Sequence, residues 1–207
     1  MGLTELFFPK ICAGCGESGT VLCPTCQLAW AQPPQQISTQ VILPVPTWSL
    51  GALGGVRRRT IINLKEHQRG DVVPYLGAVL RESVRYLQAQ GYLDEELILV
   101  AAPTRRASAR KRGGDVVARV CAATQLPTVQ LLWLSESAQE SVGLSLTERR
   151  SNLAGAVRVD TRKVSKITGH VLLVDDVVTT GATIFASIMA LSSNNIKVRG
   201  ALGWAHA

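Results

Sequence analysis

Val171-Leu172-Leu173-Val174-Asp175-Asp176-Val177-Val178-Thr179-Thr180-Gly181-Ala182-Thr183 is the stretch whose reading decides the fold. Its first four residues are apolar, which predicts a strand buried on both faces of a parallel sheet. Two adjacent carboxylates, Asp175 and Asp176, stand at the C-terminal end of that strand, and a loop of Thr179, Thr180 and Gly181 follows. Ala182 and Thr183 then lead into an apolar helical run over 184–191. In an open α/β sheet, ligands bind just beyond the C-terminal ends of the strands. A Thr/Gly loop at a helix N-terminus offers N–H groups and hydroxyls, which suit a phosphate. Adjacent carboxylates accept hydrogen bonds from a pair of neighbouring hydroxyls. The ligand these parts describe is a ribose 5-phosphate. Its diol would lie on Asp175 and Asp176, and its phosphate on Thr179, Thr180, Gly181, Ala182 and Thr183. An acid pair after an apolar strand also occurs in Walker B strands and in receiver domains. A Walker B strand needs a partner G-x-x-x-x-G-K-[ST], which this chain lacks. A receiver carries its acids near the N-terminus, not at residue 175 of 207.

The length, 207 residues, suffices for one substantial domain with a small appendage. Apolar residues make up 46% and charged residues 18%, the balance of a globular chain. No apolar run approaches the roughly 18 residues that span a bilayer. Residues 1–9 lack the basic n-region of a signal peptide. The expectation is a cytoplasmic protein with reduced thiols and no membrane insertion. Net charge is +7, and 16 of the 22 basic residues are Arg. That excess suits anionic partners such as phosphates, pyrophosphate or nucleic acid. Aromatic content is only 5%, and no basic stretch is interleaved with aromatics as in single-strand binders. Direct single-stranded DNA binding is therefore not favoured.

Near the N-terminus, Cys12-Ala13-Gly14-Cys15 and Cys23-Pro24-Thr25-Cys26 form two C-x2-C pairs. Each pair can place two thiolates on one metal ion, and four close a tetrahedral Zn2+ site of the structural type. So small a segment cannot bury a core, so metal binding would supply its folding free energy. Two disulfides would need an oxidising compartment. A thioredoxin-like C-x-x-C would occur once, inside a βαβ pattern. Cys121 stands alone on an apolar helical face and reads as a core cysteine.

Residues 27–40, with Pro33-Pro34 and several Gln, read as a linker. Short apolar pieces over 41–55 suggest one or two strands beside the main sheet. Ile61, Ile62 and Leu64 fit a short helix with a basic outer face, which includes Arg57, Arg58 and Arg59. Leu76, Val79, Leu80, Val84 and Leu87 recur at helical spacing over 74–90. A buried strand over 97–100 leads into Thr104-Arg105-Arg106, on the sheet edge that carries the Thr/Gly loop. Helix is expected over 113–125, a second parallel strand over 129–134, an edge strand over 157–159, and further core strands over 171–174 and 196–202. Residues 135–150 show no core pattern, and a loop that long is usually functional. Residues 204–207 read as a tail, with His206 a surface residue. The fold class expected is α/β, a parallel sheet flanked by helices. The division expected is a four-cysteine module with linker over 1–35 and the sheet domain over 36–207.

The stretch 171–183 resembles the phosphoribosyl-pyrophosphate (PRPP) motif of type I phosphoribosyltransferases. Nearly the whole chain resembles the ComF family. The resemblance rests on Cys12, Cys15, Cys23 and Cys26, on Leu64-Lys65…Gly70-Asp71, and on Arg106…Arg112-Gly113. It continues through Gln139…Glu148-Arg149-Arg150…Asn152 and Asp175-Asp176…Thr179-Thr180-Gly181…Thr183. It implies a type I phosphoribosyltransferase fold with a zinc module and a role in competence, DNA uptake and transformation. It implies PRPP with Mg2+ as ligand, Arg105 and Arg106 facing the pyrophosphate, and a lid over 135–150. It also leaves two activities open. One is phosphoribosyl transfer to an acceptor. The other is a non-catalytic PRPP or nucleotide sensor, or a scaffold for a helicase-like DNA-uptake partner. Two positions depart from the related patterns. Gly113-Gly114-Asp115 stands where ComF proteins continue with Phe-Asn-Gln, and Thr179 stands where hypoxanthine-type transferases carry an acidic residue.

Overall fold

The computed structural model describes residues 10–104, 114–135 and 155–207. In chain order its elements are α1 (Pro24–Trp30), β1 (Gln35–Gln36), β2 (Thr47–Ser49), α2 (Gly55–Glu66), α3 (Val73–Ala89) and β3 (Leu97–Ala101). They continue with α4 (Val116–Ala123), β4 (Leu132–Leu134), β5 (Val157–Val159), β6 (His170–Val178), α5 (Ala182–Ser192) and β7 (Val198–His206). Turns of 3-10 helix lie at Gly70–Val72 and Thr161–Lys166.

The apolar run that starts at Val171 forms β6, an inner strand of a five-stranded sheet ordered β1-β2-β7-β6-β3. The β2, β7, β6 and β3 pairings are parallel, and β1 adds an antiparallel edge. Val171, Leu172, Leu173 and Val174 are fully buried because apolar layers cover both faces of the sheet. On one face Leu172 and Val174 meet Leu76, Leu80 and Val84 of α3 and Val117, Val120 and Cys121 of α4. On the other, Val171 and Leu173 meet Ile184, Ile188 and Leu191 of α5. The helical spacing over 74–90 thus buries one stripe of α3, and Cys121 is a core residue with no exposure.

The chain departs from the expected strand plan in three places. Residues 129–134 do not form a second parallel strand of the main sheet. Just ahead of them Thr128 makes a parallel bridge to Leu99, and Val129 N–H donates to the Leu99 carbonyl at 3.0 Å. Beyond it, β4 turns away and pairs antiparallel with β5 in a separate two-stranded sheet. The run is apolar enough for a strand, but nothing in its composition says which neighbour it pairs with. Residues 204–206 are not a tail. Trp204 and Ala205 are buried in β7, which pairs with β6 as far as His206, and His206 Nδ1 lies 3.1 Å from Ser49 Oγ. The stretch read as a linker contains most of α1 and all of β1, and Thr39 near its end lies against Gly181 of the Thr/Gly loop.

The four-cysteine segment packs on the same core as α3. Cys12, Ala13, Leu22, Cys23, Cys26 and Trp30 share an apolar cluster with Ile61, Leu64, Val72 and Leu76. Polar links reinforce it: Asn63 donates to the Ala13 carbonyl at 2.9 Å and Arg69 to the Ile11 carbonyl at 2.8 Å. Arg57 is not part of a solvated basic face. Its guanidinium lies 5.7 Å from the ring centroid of the buried Trp30, a cation–π contact that ties α2 to α1. Arg58 and Arg59 are exposed.

Candidate functional site

Two constellations emerge. The first is the thiol cluster. The Sγ atoms of Cys12, Cys15, Cys23 and Cys26 all lie within 4.8 Å of one another, so the four cysteines are positioned to hold a metal ion. Cys15 and Cys23 are 3.7 Å apart. Four Zn–S bonds of ~2.3 Å in a tetrahedron set sulfurs roughly 3.8 Å apart. All the cysteines are free thiols. Burial pushes the Cys12 thiol up, but N–H groups of Cys23, Cys15 and Gly14 outweigh it and bring it down to about 6. Burial, followed by the neighbouring thiols, pushes Cys26 far up. Four thiolates cannot coexist in this volume unless a cation compensates them. Three of the four are buried and only Cys15 is exposed, a closed arrangement that suits a structural ion.

The second constellation is built by β6, the turn after it and α5. Gly181 is the N-cap of α5 and adopts left-handed backbone, φ 84. The first helical bond runs from Phe185 N–H to the Gly181 carbonyl. The N–H groups ahead of it have no intrahelical acceptor. Ala182 N–H donates to Thr180 Oγ1 at 3.3 Å, and those of Thr183 and Ile184 complete an anion-facing helix end. A depression of about 20 Å³ is lined by Asp175, Thr179, Gly181 and Thr183 among others. It has room for one oxygen of an anion, so a whole ligand would lie across its mouth. Roomier clefts, of 440 Å³ between α1 and α3 and 530 Å³ at the start of β3, lie away from this turn, and the second is lined by Glu95, Glu96 and Lys166 among others.

The acid pair sits inside β6 rather than beyond it, since the strand continues to Val178. Alternation along β6 slips at this point. Leu172 and Val174 pack in one cluster and Leu173 in the other, yet Val177 packs against the first and Val178 in the second. In a regular strand Val178 would share the side of Val174. The slip falls across Asp175 and Asp176, which are half-buried. Asp176 N–H donates to Asp175 Oδ1 at 2.8 Å. Burial, then the charge of Asp176, pushes the Asp175 carboxyl up to about 7. Asp176 pairs with Lys65 of α2, Nζ to Oδ2 2.5 Å.

The structure therefore brings together Asp175, Asp176, Thr179, Thr180, Gly181, Ala182 and Thr183. Arg105, Arg106, Gly113 and the residues 139–152 lie outside the described residues. Asp115, at the departure from the ComF pattern, caps α4 by accepting from Ala118 N–H at 3.0 Å. Sequence reasoning gave two residues at this site no chemistry. Lys65 belonged only to a resemblance, and a lone Lys on a basic helix carries no sign of its partner. Thr39 lay in the supposed linker. Its neighbour Val41 donates N–H to the Thr180 carbonyl at 2.9 Å, and a Cβ on Gly181 would lie 2.8 Å from Thr39 Oγ1. Gly181→Ala should therefore cost about 2 kcal/mol, combining left-handed strain with this clash. Thermal melts should show a loss of several degrees. Adding Thr39→Ala should restore part of it, and no recovery would mean that Thr39 does not brace the loop.

Scanned against protein-family models the chain matches none, and no curated protein matches it.

Proposed function

We propose that residues 171–183 form a phosphoribosyl site of the type I phosphoribosyltransferase kind, and that the four cysteines hold one structural Zn2+. The observation that carries the reading is the adjacency of the half-buried acid pair to a left-handed glycine turn at the N-terminus of α5. Carboxylates accept from a vicinal diol, and the turn's N–H groups and hydroxyls take the 5-phosphate. The mostly parallel sheet between helical layers, with its ligand groups at a C-terminal strand edge, agrees with that fold.

The ligand this reading implies is PRPP accompanied by Mg2+, which would neutralise the pyrophosphate. The described residues offer Mg2+ no carboxylate cluster comparable to the thiol cluster, so the ion would arrive on the pyrophosphate. In transfer, the bond from C1 to pyrophosphate breaks and a bond from C1 to the acceptor forms. Asp175 and Asp176 would favour the positive charge that builds on the sugar. The resemblance to ComF proteins extends this to a protein of competence and DNA uptake. A second reading is a sensor or scaffold. Thr179 does not decide between the two: a threonine cannot serve as general base at neutral pH, which constrains the acceptor rather than excluding catalysis.

Calorimetric titration of the full chain with PRPP and Mg2+, followed by an assay for released pyrophosphate, tests both. Saturable binding with release stimulated by an acceptor is expected of a transferase. Binding without release would leave the sensor or scaffold. Absence of binding would overturn the phosphoribosyl reading.

A further inference from the structure

Lys65 is the one cationic side chain that meets the acid pair among the described residues. It lies in the last turn of α2, where the helix dipole favours a cation. Lys65 and Asp176 are both shielded, with side chains 26% and 16% exposed. The pair is therefore less screened than a surface ion pair. Its charge also reaches Asp175, where it opposes the upward push of burial and of Asp176.

The two carboxylates face different neighbours. The depression at the Thr/Gly turn is lined by Asp175 and by neither Asp176 nor Lys65. Asp176 instead faces Lys65. A furanose 5-phosphate presents its groups in a fixed order. The 5-phosphate is followed by the C3 hydroxyl, then the C2 hydroxyl, then C1. With the phosphate at the turn beside Asp175, the C3 hydroxyl would fall to Asp175 and the C2 hydroxyl to Asp176, the carboxylate that faces Lys65. C1 is the next atom, on the side of Lys65.

We infer that Lys65 marks the subsite for an anionic group on C1, and that its ammonium turns from Asp176 toward that anion when the sugar hydroxyls occupy the carboxylates. This rests on the phosphoribosyl reading of residues 171–183. The unliganded Asp176 spends an oxygen on Lys65, and a C2 hydroxyl needs that same acceptor. A ligand without a C1 anion must displace the ammonium and gives it nothing in return. A ligand with C1 pyrophosphate supplies a new partner. Lysine suits this exchange, because its ammonium carries three donors on a flexible stem. The predicted consequence is selectivity for ribose 5-phosphates bearing a C1 anion over ribose 5-phosphate itself. Lys65 would be a specificity-determining residue.

The test titrates the full, metal-loaded chain with PRPP plus Mg2+ and, separately, with ribose 5-phosphate, in wild type, Lys65→Gln and Lys65→Arg. Wild type should prefer PRPP. In Lys65→Gln, PRPP binding should weaken by roughly 10- to 100-fold, the worth of a charge-assisted contact. Ribose 5-phosphate should bind as well as before or better, because Asp176 has been released. Lys65→Arg should keep most of the preference. Equal weakening of both ligands would make Lys65 a mere brace for Asp176 and overturn the inference, as would no change in either. Thermal melts of each variant guard against misfolding. If wild type bound neither ligand, the phosphoribosyl reading itself would fail and this inference with it. If wild type bound both and only the Lys65→Gln pattern disagreed, the subsite alone would fail.

Discussion

Chelation of the metal from the full chain is expected to lower its melting temperature by more than about 10 °C, rather than to unravel only the four-cysteine segment. Binding of a structural Zn2+ supplies on the order of 10 kcal/mol to the fold around it. Here that fold is not a separate knuckle. Cys12, Cys23 and Cys26 are buried in the cluster that includes Leu64, Val72 and Leu76. A Cβ on Gly14 would lie 2.7 Å from Cys26 Sγ and 2.9 Å from Val56 Cγ1 of α2, so the cysteine knuckle presses directly on that helix. Asn63 and Arg69 bind carbonyls of the segment, and Arg57 lies over Trp30. Loss of the ion would leave thiols that repel one another when ionised and strip α2 of its support. Metal analysis should find one zinc per chain. Cys26→Ser should cost more than Cys15→Ser, because Cys26 is buried and Cys15 exposed. A chain that carries no metal, or melts unchanged after chelation, would rule the site out.

The same contacts explain what the sequence could and could not convey. The C-x2-C spacing is local chemistry: two thiols on a tight turn meet one ion whatever the rest of the chain does. The strand at 171–174 was legible because a short run of β-branched and leucine residues that ends in two carboxylates fits a strand covered on both faces. The turn at Gly181 was legible because a left-handed N-cap is a glycine position. Pairing was not legible. Residues 132–134 have the composition of a strand, but their partner Val157–Val159 is chosen by tertiary packing. Trp204 reads as a tail residue only if β7 is assumed to stop at 202, and nothing polar marks that end. The clasp of Thr39 and Val41 on the turn, and the reach of Lys65 to Asp176, join residues 139 and 111 positions apart, to Thr180 by way of Val41 and to Asp176 directly. No periodicity records such a contact. The acid pair was found by its type and place. The slip in strand alternation that surrounds it, and the neighbour that neutralises it, required coordinates.

Asp175→Asn is expected to separate binding from stability, in opposite directions. Burial, and after it the charge of Asp176, hold the Asp175 carboxyl up to about 7, against the Asp176 N–H and Lys65, which pull it down. In the unfolded chain an aspartate titrates near 3.9. Between about pH 4 and pH 7 the folded protein therefore keeps a proton that the unfolded chain has released. The stability slope is negative wherever the folded state binds more protons. Stability from this group is thus full below about pH 4, declines as pH rises, and is lost above about pH 7. The total is on the order of 2–4 kcal/mol. Asparagine has no proton to lose, so Asp175→Asn should match wild type near pH 5.5 more closely than at pH 8, where it should melt several degrees higher. Melts run from pH 5.5 to 8.5, with the metal retained, check this; a variant that keeps the wild-type slope would refute it. Binding should move the other way. The diol donates to the carboxylate, and a charged acceptor contributes about twice a neutral one. Asp175→Asn with Asp176→Asn should lose PRPP binding by at least roughly 100-fold. Wild-type affinity should itself fall below about pH 7, as Asp175 takes up its proton and becomes a poorer acceptor. A double variant that melts higher at pH 8 and still binds PRPP would leave the acid pair as a strained strand end with no ligand. A variant that binds nothing and gains stability would show a carboxylate kept at a cost to the fold because the sugar requires it.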